Sequence, residues 1–142
     1  MPTSGSAPQL LVDTSVAVAL LVEDHEHHRP TVRSIGGRRL GLAGHAAFET
    51  FSVLTRLPSP SRRSPATITQ AMASNFPASR FLPPAAADRL LQQLPLLGIA
   101  GGSVYDALVG ATAAEHGVPL ASRDQRALVT YRALDVEVEL LD

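Results

Sequence analysis

The chain has no cysteine and no lysine, few aromatic residues and no long hydrophobic run. Without cysteine it can form no disulfide, no thiolate zinc site and no thiol nucleophile. Without lysine, all 12 basic residues are arginine. A guanidinium suits bidentate contact with phosphate, although G+C-rich coding would leave the same bias. Aromatics are 4% of the 142 residues, which argues against single-strand nucleic-acid binding on stacking platforms. A net charge of −1 means that no global basic field advertises a polyanionic partner. No apolar stretch approaches the roughly 20 residues of a membrane span. The opening Met-Pro-Thr-Ser-Gly-Ser-Ala-Pro has neither the basic start nor the apolar core of a secretory signal. A cytoplasmic protein with no membrane partner is expected. What is present is 45% hydrophobic, enough to bury one core of Leu, Val and Ala, and the length fits one domain.

Residues 1–8 read as a flexible tail and 9–142 as a single domain. Residues 9–12 read as a buried strand, followed by an apolar helix from Thr14 to about Val22. Asp24 can cap a second helix through Ile35, stopped by Gly36-Gly37. A short strand is expected near Leu40–Ala43, then a helix from His45 to Leu57. A rigid basic loop follows, Pro58 to Pro65, carrying Arg62 and Arg63. Helices are expected over Thr67–Asn75, over Ala85–Leu97 with a break near Pro95, and over Ser103–His116. A short strand is expected at Phe81-Leu82. Val118–Ala121 reads as a buried strand, Gln125–Leu134 as a helix, and the alternating Val136–Leu140 as a last strand with one wet face. Strands separated by helices imply a parallel α/β sheet, and such sheets bind ligands beyond the carboxyl ends of their strands.

Four acids stand in contexts that could aim them at that edge: Asp13, Glu49, Asp106 and Asp124. Each also has a plain structural reading. Asp13 and Asp124 can cap the helices that follow them. Asp106 has the Ser-x-x-acid spacing of a capping box with Ser103. Glu49 shares a helical stripe with His45, Ser52 and Arg56, which reads equally as a solvent face. Taken together, acids with no cysteine and no obvious histidine partner suit a hard cation such as Mg²⁺ or Mn²⁺. His25 and His28 could share a metal on one helix face, or simply solvate a helix start. There is no Gly-x-x-x-x-Gly-Lys phosphate loop and no Gly-x-Ser-x-Gly nucleophile elbow. A receiver-like signalling domain also groups acids around Mg²⁺, but it needs an active-site lysine that this chain lacks.

The segments Leu11-Val-Asp-Thr-Ser15, the mid-helix Glu49, Val104-Tyr-Asp-Ala-Leu108 and Leu120-Ala-Ser-Arg-Asp124 resemble the PIN-domain ribonucleases, in particular the VapC-type toxins of bacterial toxin–antitoxin pairs. The Arg56–Pro60 loop, Asn75-Phe76-Pro77, Gly101–Ala107 and the final Val-Glu-Val-Glu-Leu-Leu carry the likeness across nearly the whole chain. The resemblance implies a three-layer α/β/α fold with a central parallel sheet, homodimers and a cognate VapB-type antitoxin. It implies that Asp13, Glu49, Asp106 and Asp124 hold Mg²⁺ or Mn²⁺ and that the enzyme hydrolyses RNA. Thr14, Ser15 and Ser122 are expected to support these acids, and Arg62 and Arg63 to contact RNA phosphate. Ser122 stands where many relatives have Thr, and it keeps the hydroxyl. The other reading is an inactive PIN module that binds a partner or RNA, and the intact acids count against it.

Overall fold

The computed structural model describes residues 7–142. Residues 1–6, most of the expected tail, lie outside the described residues. Four strands form one parallel sheet: β1 (Gln9–Val12), β2 (Arg39–Leu42), β3 (Leu120–Ser122) and β4 (Val138–Leu140), in the order β2-β1-β3-β4. Seven α-helices surround it: α1 (Thr14–Leu21), α2 (His28–Ile35), α3 (Ala46–Thr55), α4 (Pro65–Asn75), α5 (Pro84–Leu97), α6 (Ser103–His116) and α7 (Leu128–Ala133), the last entered through a 3₁₀ turn at Gln125–Ala127.

The period of two in a strand sorts the core. Leu10 and Val12 point to one face, where they pack with Val16, Ala17, Ile35 and Phe76 from α1, α2 and the end of α4. Leu11 points to the other, against Val109, Ala113, Ala127 and Tyr131 from α6 and the α7 region. A sheet covered on both faces needs an uninterrupted apolar strand, and Leu10-Leu11-Val12 supplies it with no exposed surface. The result is the expected three-layer α/β/α sandwich.

Register sets up the functional edge. Leu11 pairs with Leu120 and Val12 with Ala121. The next pair outward is therefore Asp13 beside Ser122, at the carboxyl ends of the two central strands. Here the Asp13 N–H still donates to Ala121 O at 3.2 Å.

Several boundaries differ from the sequence reading. The second helix begins at His28, not Asp24, and its N-cap His27 makes no side-chain capping bond. Instead the His27 N–H donates to His25 Nδ1 at 3.0 Å within a turn. The fourth helix begins at Pro65 under a Ser64 cap, because proline is well suited to the first helical position. The break expected near Pro95 does not occur. Pro95 lies within the last turn of α5, and left-handed Gly98 ends the helix, so the missing N–H removes only one intrahelical bond. The expected strand at Phe81-Leu82 is reduced to a single parallel bridge between Ala43 and Arg80. Ala78 N–H and Arg80 N–H donate to Leu40 O and Leu42 O, so this segment covers the β2 edge that would otherwise be open. Among the described residues no helix is long and apolar enough to cross a membrane.

Candidate active site

Asp13 leaves the end of β1 with an extended backbone and caps α1. Its side chain is 4% exposed. The plain capping reading is correct, but it accounts for only part of one oxygen. Oδ1 accepts from Val16 N–H at 3.3 Å and from Ser15 Oγ at 2.5 Å. Oδ2 accepts from Ser122 Oγ at 2.6 Å and from the Tyr131 hydroxyl at 2.9 Å. The two serines are themselves held: Ser15 Oγ accepts from Arg123 N–H at 2.8 Å, and Ser122 Oγ from Asp124 N–H at 3.0 Å. Each hydroxyl thus passes a backbone N–H on to one oxygen of the carboxylate. This explains why a hydroxyl is needed at position 122 and fixes Asp13 and Asp124 in one frame. Burial pushes the Asp13 carboxyl above its ordinary range, opposed by the bonds from Ser122, Ser15, Tyr131 and Val16. Thr14 contributes less, with a long 3.5 Å bond to Ala46 O.

The sequence reading missed Tyr131. It is 1% exposed, and burial together with the Asp13 charge pushes its hydroxyl far above the ordinary tyrosine range, so it stays a donor. Its ring lies against α6 at Gly110, where an added Cβ would stand 3.0 Å from Cδ1. A large ring can therefore pass beneath α6 to reach β1. The only local signal was a tyrosine on the apolar face of a short helix, which reads as core. Tyr131→Phe keeps the ring and removes one donor to a buried carboxylate. The expected loss is about 1–3 kcal/mol of stability, measured by urea unfolding. An unchanged unfolding midpoint and slope would mean that the hydroxyl is not holding Asp13.

Asp106 sits in the first turn of α6, but the capping box does not form. Gly102 is the N-cap, it makes no side-chain capping bond, and Ser103 is already helical. The half-buried Asp106 carboxyl is raised first by burial, then by the charges of Asp124, Glu49 and Asp13, and lowered by Arg126. The acids are therefore close enough to repel at Asp106. Asp124 does cap: its Oδ1 accepts from Arg126 N–H at 3.0 Å. Arg126 Nε, on a highly exposed side chain, lies 3.5 Å from the same oxygen. Glu49 lies on α3 with its side chain 42% exposed and Oε1 3.8 Å from His45 Nε2. Glu49 thus has as its neighbour the His45 that shares its helical stripe. His45 in turn stacks on Tyr105, ring centroids 4.9 Å apart.

Among the described residues no three Asp, Glu or His side chains close on a ready-made metal shell. Four hydrogen bonds already engage Asp13. The donor set nevertheless fits a hard cation. It is all oxygen, and the repulsion felt at Asp106 is what a divalent ion would relieve.

Other expected positions fall elsewhere. Arg62 and Arg63 are exposed on the α3–α4 loop. Arg63 donates to Pro60 O at 3.1 Å and Ser61 O at 3.2 Å. It also lines a groove of about 420 Å³ with Leu21, Leu54 and Ile68, and none of the four acids borders that groove. His28 is the first residue of α2 and its Nδ1 is paired with Ala19 O at 2.8 Å, whereas His25 lies in the preceding turn, so the two do not share a helix face.

A family model described as PIN domain matches residues 10–133. Ribonuclease VapC27 of Mycobacterium tuberculosis (strain ATCC 25618 / H37Rv) is 44% identical over 131 residues, covering 92% of this chain and 96% of the relative. Ribonuclease VapC40 of Mycobacterium tuberculosis (strain CDC 1551 / Oshkosh) is also 44% identical over 131 residues, covering 91% of this chain and 96% of the relative. Among solved structures, VapBC2 from Rickettsia felis bound to a promoter DNA fragment superposes with a TM-score of 0.67 at 11% identity, covering 94% of this chain and 99% of that one. Mycobacterium tuberculosis VapC20, a Sarcin-Ricin loop cleaving toxin, gives 0.63 at 17% identity, covering 84% and 92%. At those identities the structural likeness speaks for the fold alone. The family match over most of the length and the two relatives at 44% identity make the assignment: the chain belongs to the PIN-domain family, in its VapC branch.

Proposed function

We propose that this chain is a metal-dependent endoribonuclease and the toxin of a toxin–antitoxin pair. One observation carries the reading: the buried Asp13 stands at the end of β1 in a bonded frame shared with Ser122 and Asp124, and Asp106 feels the charges of Asp124, Glu49 and Asp13, in a chain 44% identical to two ribonucleases. Asp13, Asp106, Asp124 and Glu49 would hold Mg²⁺ or Mn²⁺. When bound, the ion supplies an acidified water and charge neutralisation at the phosphate.

The protein's own work is positioning. Ser15, Ser122, Tyr131 and Val16 N–H hold Asp13 in one orientation, so it is the central ligand. Ser122 ties Asp124 to the same frame. Asp106 is offered from a helix turn that no capping bond restrains. Glu49, half-exposed beside His45, would ligate the ion or orient the water. Arg62 and Arg63 contact RNA phosphate along the approach. In this reading residues 9–142 form the nuclease domain, and the protein works as a homodimer in the cytoplasm. Incubating the purified chain with RNA and Mn²⁺, then mapping new 5′ ends, tests the activity and names the substrate. Intact RNA at enzyme concentrations near the substrate's would remove the reading.

The antitoxin is expected to inhibit from within the acid pocket. An Arg on its tail forks onto carboxylate oxygens. Its apolar residues grip the faces near Ala47, Phe51 and Leu54, where the groove beside Leu54 already presents Leu21, Leu57 and Ile68. Metal and tail then compete, and the two effects must be equal in free energy. A tail peptide titrated at several Mn²⁺ concentrations should bind more weakly as Mn²⁺ rises. An affinity independent of Mn²⁺ would put the inhibitor away from the acids, for example only in the groove that Arg63 lines.

A further inference from the structure

The chain has four Phe and two Tyr, so each exposed ring calls for a reason. Phe76 and Tyr131 are core residues, and the exposed Phe48 and Phe81 tilt against each other with ring centroids 6.2 Å apart. Tyr105 is 52% exposed, although it stands in the chain immediately before Asp106. His45 covers one face of its ring, with planes 24° apart and centroids 4.9 Å apart. His45 Nε2 reaches to 3.8 Å from Glu49 Oε1. A two-ring stack therefore bridges from the helix that carries Glu49 to the helix that carries Asp106, and the remainder of the Tyr105 ring is open to solvent.

We propose that the open face of Tyr105 is a nucleobase seat, on which an unpaired base of single-stranded RNA stacks beside the phosphate presented to the acids. The inference rests on the ribonuclease reading and deepens it by naming a residue that would hold the substrate beside the cut. The four acids repel a polyanion, and the whole chain carries a net charge of −1, so contacts that do not depend on a basic field must add to those of Arg62 and Arg63. Stacking on an aromatic face supplies this and tolerates any base. It also requires a base that is not already paired, which selects loops and single strands over duplex RNA. His45 backs the ring and keeps it from turning away. A count of aromatics argues against a platform, but one ring suffices if it stands at the scissile bond.

The test has a binding arm and a cleavage arm. Without divalent ion, a short single-stranded RNA titrated into the wild-type protein should shift the ring protons of Tyr105 and His45 upfield and leave those of Tyr131 in place. Tyr105→Leu should weaken that binding roughly tenfold, whereas Tyr105→Trp should retain it. With Mn²⁺, Tyr105→Leu should raise KM by a similar factor with little change in kcat. An RNA abasic next to the cleaved bond should lose the same factor with wild type and nothing further with the variant. If Tyr105→Leu binds RNA as wild type does, or loses equally on intact and abasic RNA, the seat is disproved. A change in sedimentation with RNA binding untouched would overturn it too, because the rim would then meet a second copy of the chain. RNA-induced shifts at Tyr105 without any cleavage would sink the nuclease reading and leave the seat. Cleavage with Tyr105 unmoved would do the reverse.

Discussion

Asp13→Asn is expected to lower RNA cleavage by ~10²-fold or more, because metal-assisted hydrolysis draws several kcal/mol from the ion and its ligands. The fold should survive for reasons visible at the site. Asn caps a helix about as well as Asp, so Oδ1 keeps Val16 N–H and Ser15. The amide nitrogen would face Ser122 and Tyr131, whose hydroxyls can turn from donor to acceptor. The variant also removes a charge that burial disfavours, so unfolding stability should stay within about 1 kcal/mol or rise. Cleavage rates and urea unfolding measured on the same preparations separate the two effects. A well-folded Asp13→Asn protein that cleaves at the wild-type rate would remove Asp13 from the mechanism.

Mn²⁺ is expected to stabilise the protein strongly, and the acids to account for it. A ligand at ~100 times its Kd adds about 2.7 kcal/mol to the native state, roughly 5–10 °C in Tm for a chain of this size. Asp106→Asn with Asp124→Asn should erase most of this rise, while Asn at 124 still caps the 3₁₀ turn. The pH dependence has a definite sign. The folded-state pKa values of Asp13 and Asp106 are raised above the ordinary 3.8. The metal-free native state therefore binds more protons than the unfolded chain between 3.8 and those raised values. These two groups thus favour folding below that window and cease to do so as pH rises through it. With Mn²⁺ the trend reverses, because the ion needs ionised carboxylates. Scanning Tm against pH with and without Mn²⁺ checks both signs. Equal Mn²⁺ responses from wild type and the double variant would mean that Asp106 and Asp124 do not share a site with the ion.

What was legible in the sequence follows from the range of the forces involved. Leu10-Leu11-Val12 and Leu120-Ala121 are apolar runs closed by polar residues, so the strands and the edge they point to could be read locally. The ambiguity of Asp13, Asp106 and Asp124 between cap and site was local too, and the structure resolves it differently at each. Asp13 and Asp124 do cap, and Asp106 does not complete its box. What the sequence could not show depends on distant pairing. The Tyr131 hydroxyl meets a carboxylate 118 positions away, and periodicity assigns it only to the core. His45 and Tyr105 stack across two helices. The start of α2 was misplaced because Asp24 looked like a cap, whereas the His25–His27 turn carries the chain on to His28 first.

The chemistry of the cut ends tests the central claim most directly. Purified wild-type protein, single-stranded RNA and Mn²⁺ should yield products with 5′-phosphate and 3′-hydroxyl ends, as attack by an activated water requires, and chelation should abolish them. Products with 5′-hydroxyl and cyclic 2′,3′-phosphate ends, forming equally well in chelator, would mean that the RNA's own 2′-hydroxyl attacks and that the four acids do not hold a catalytic ion.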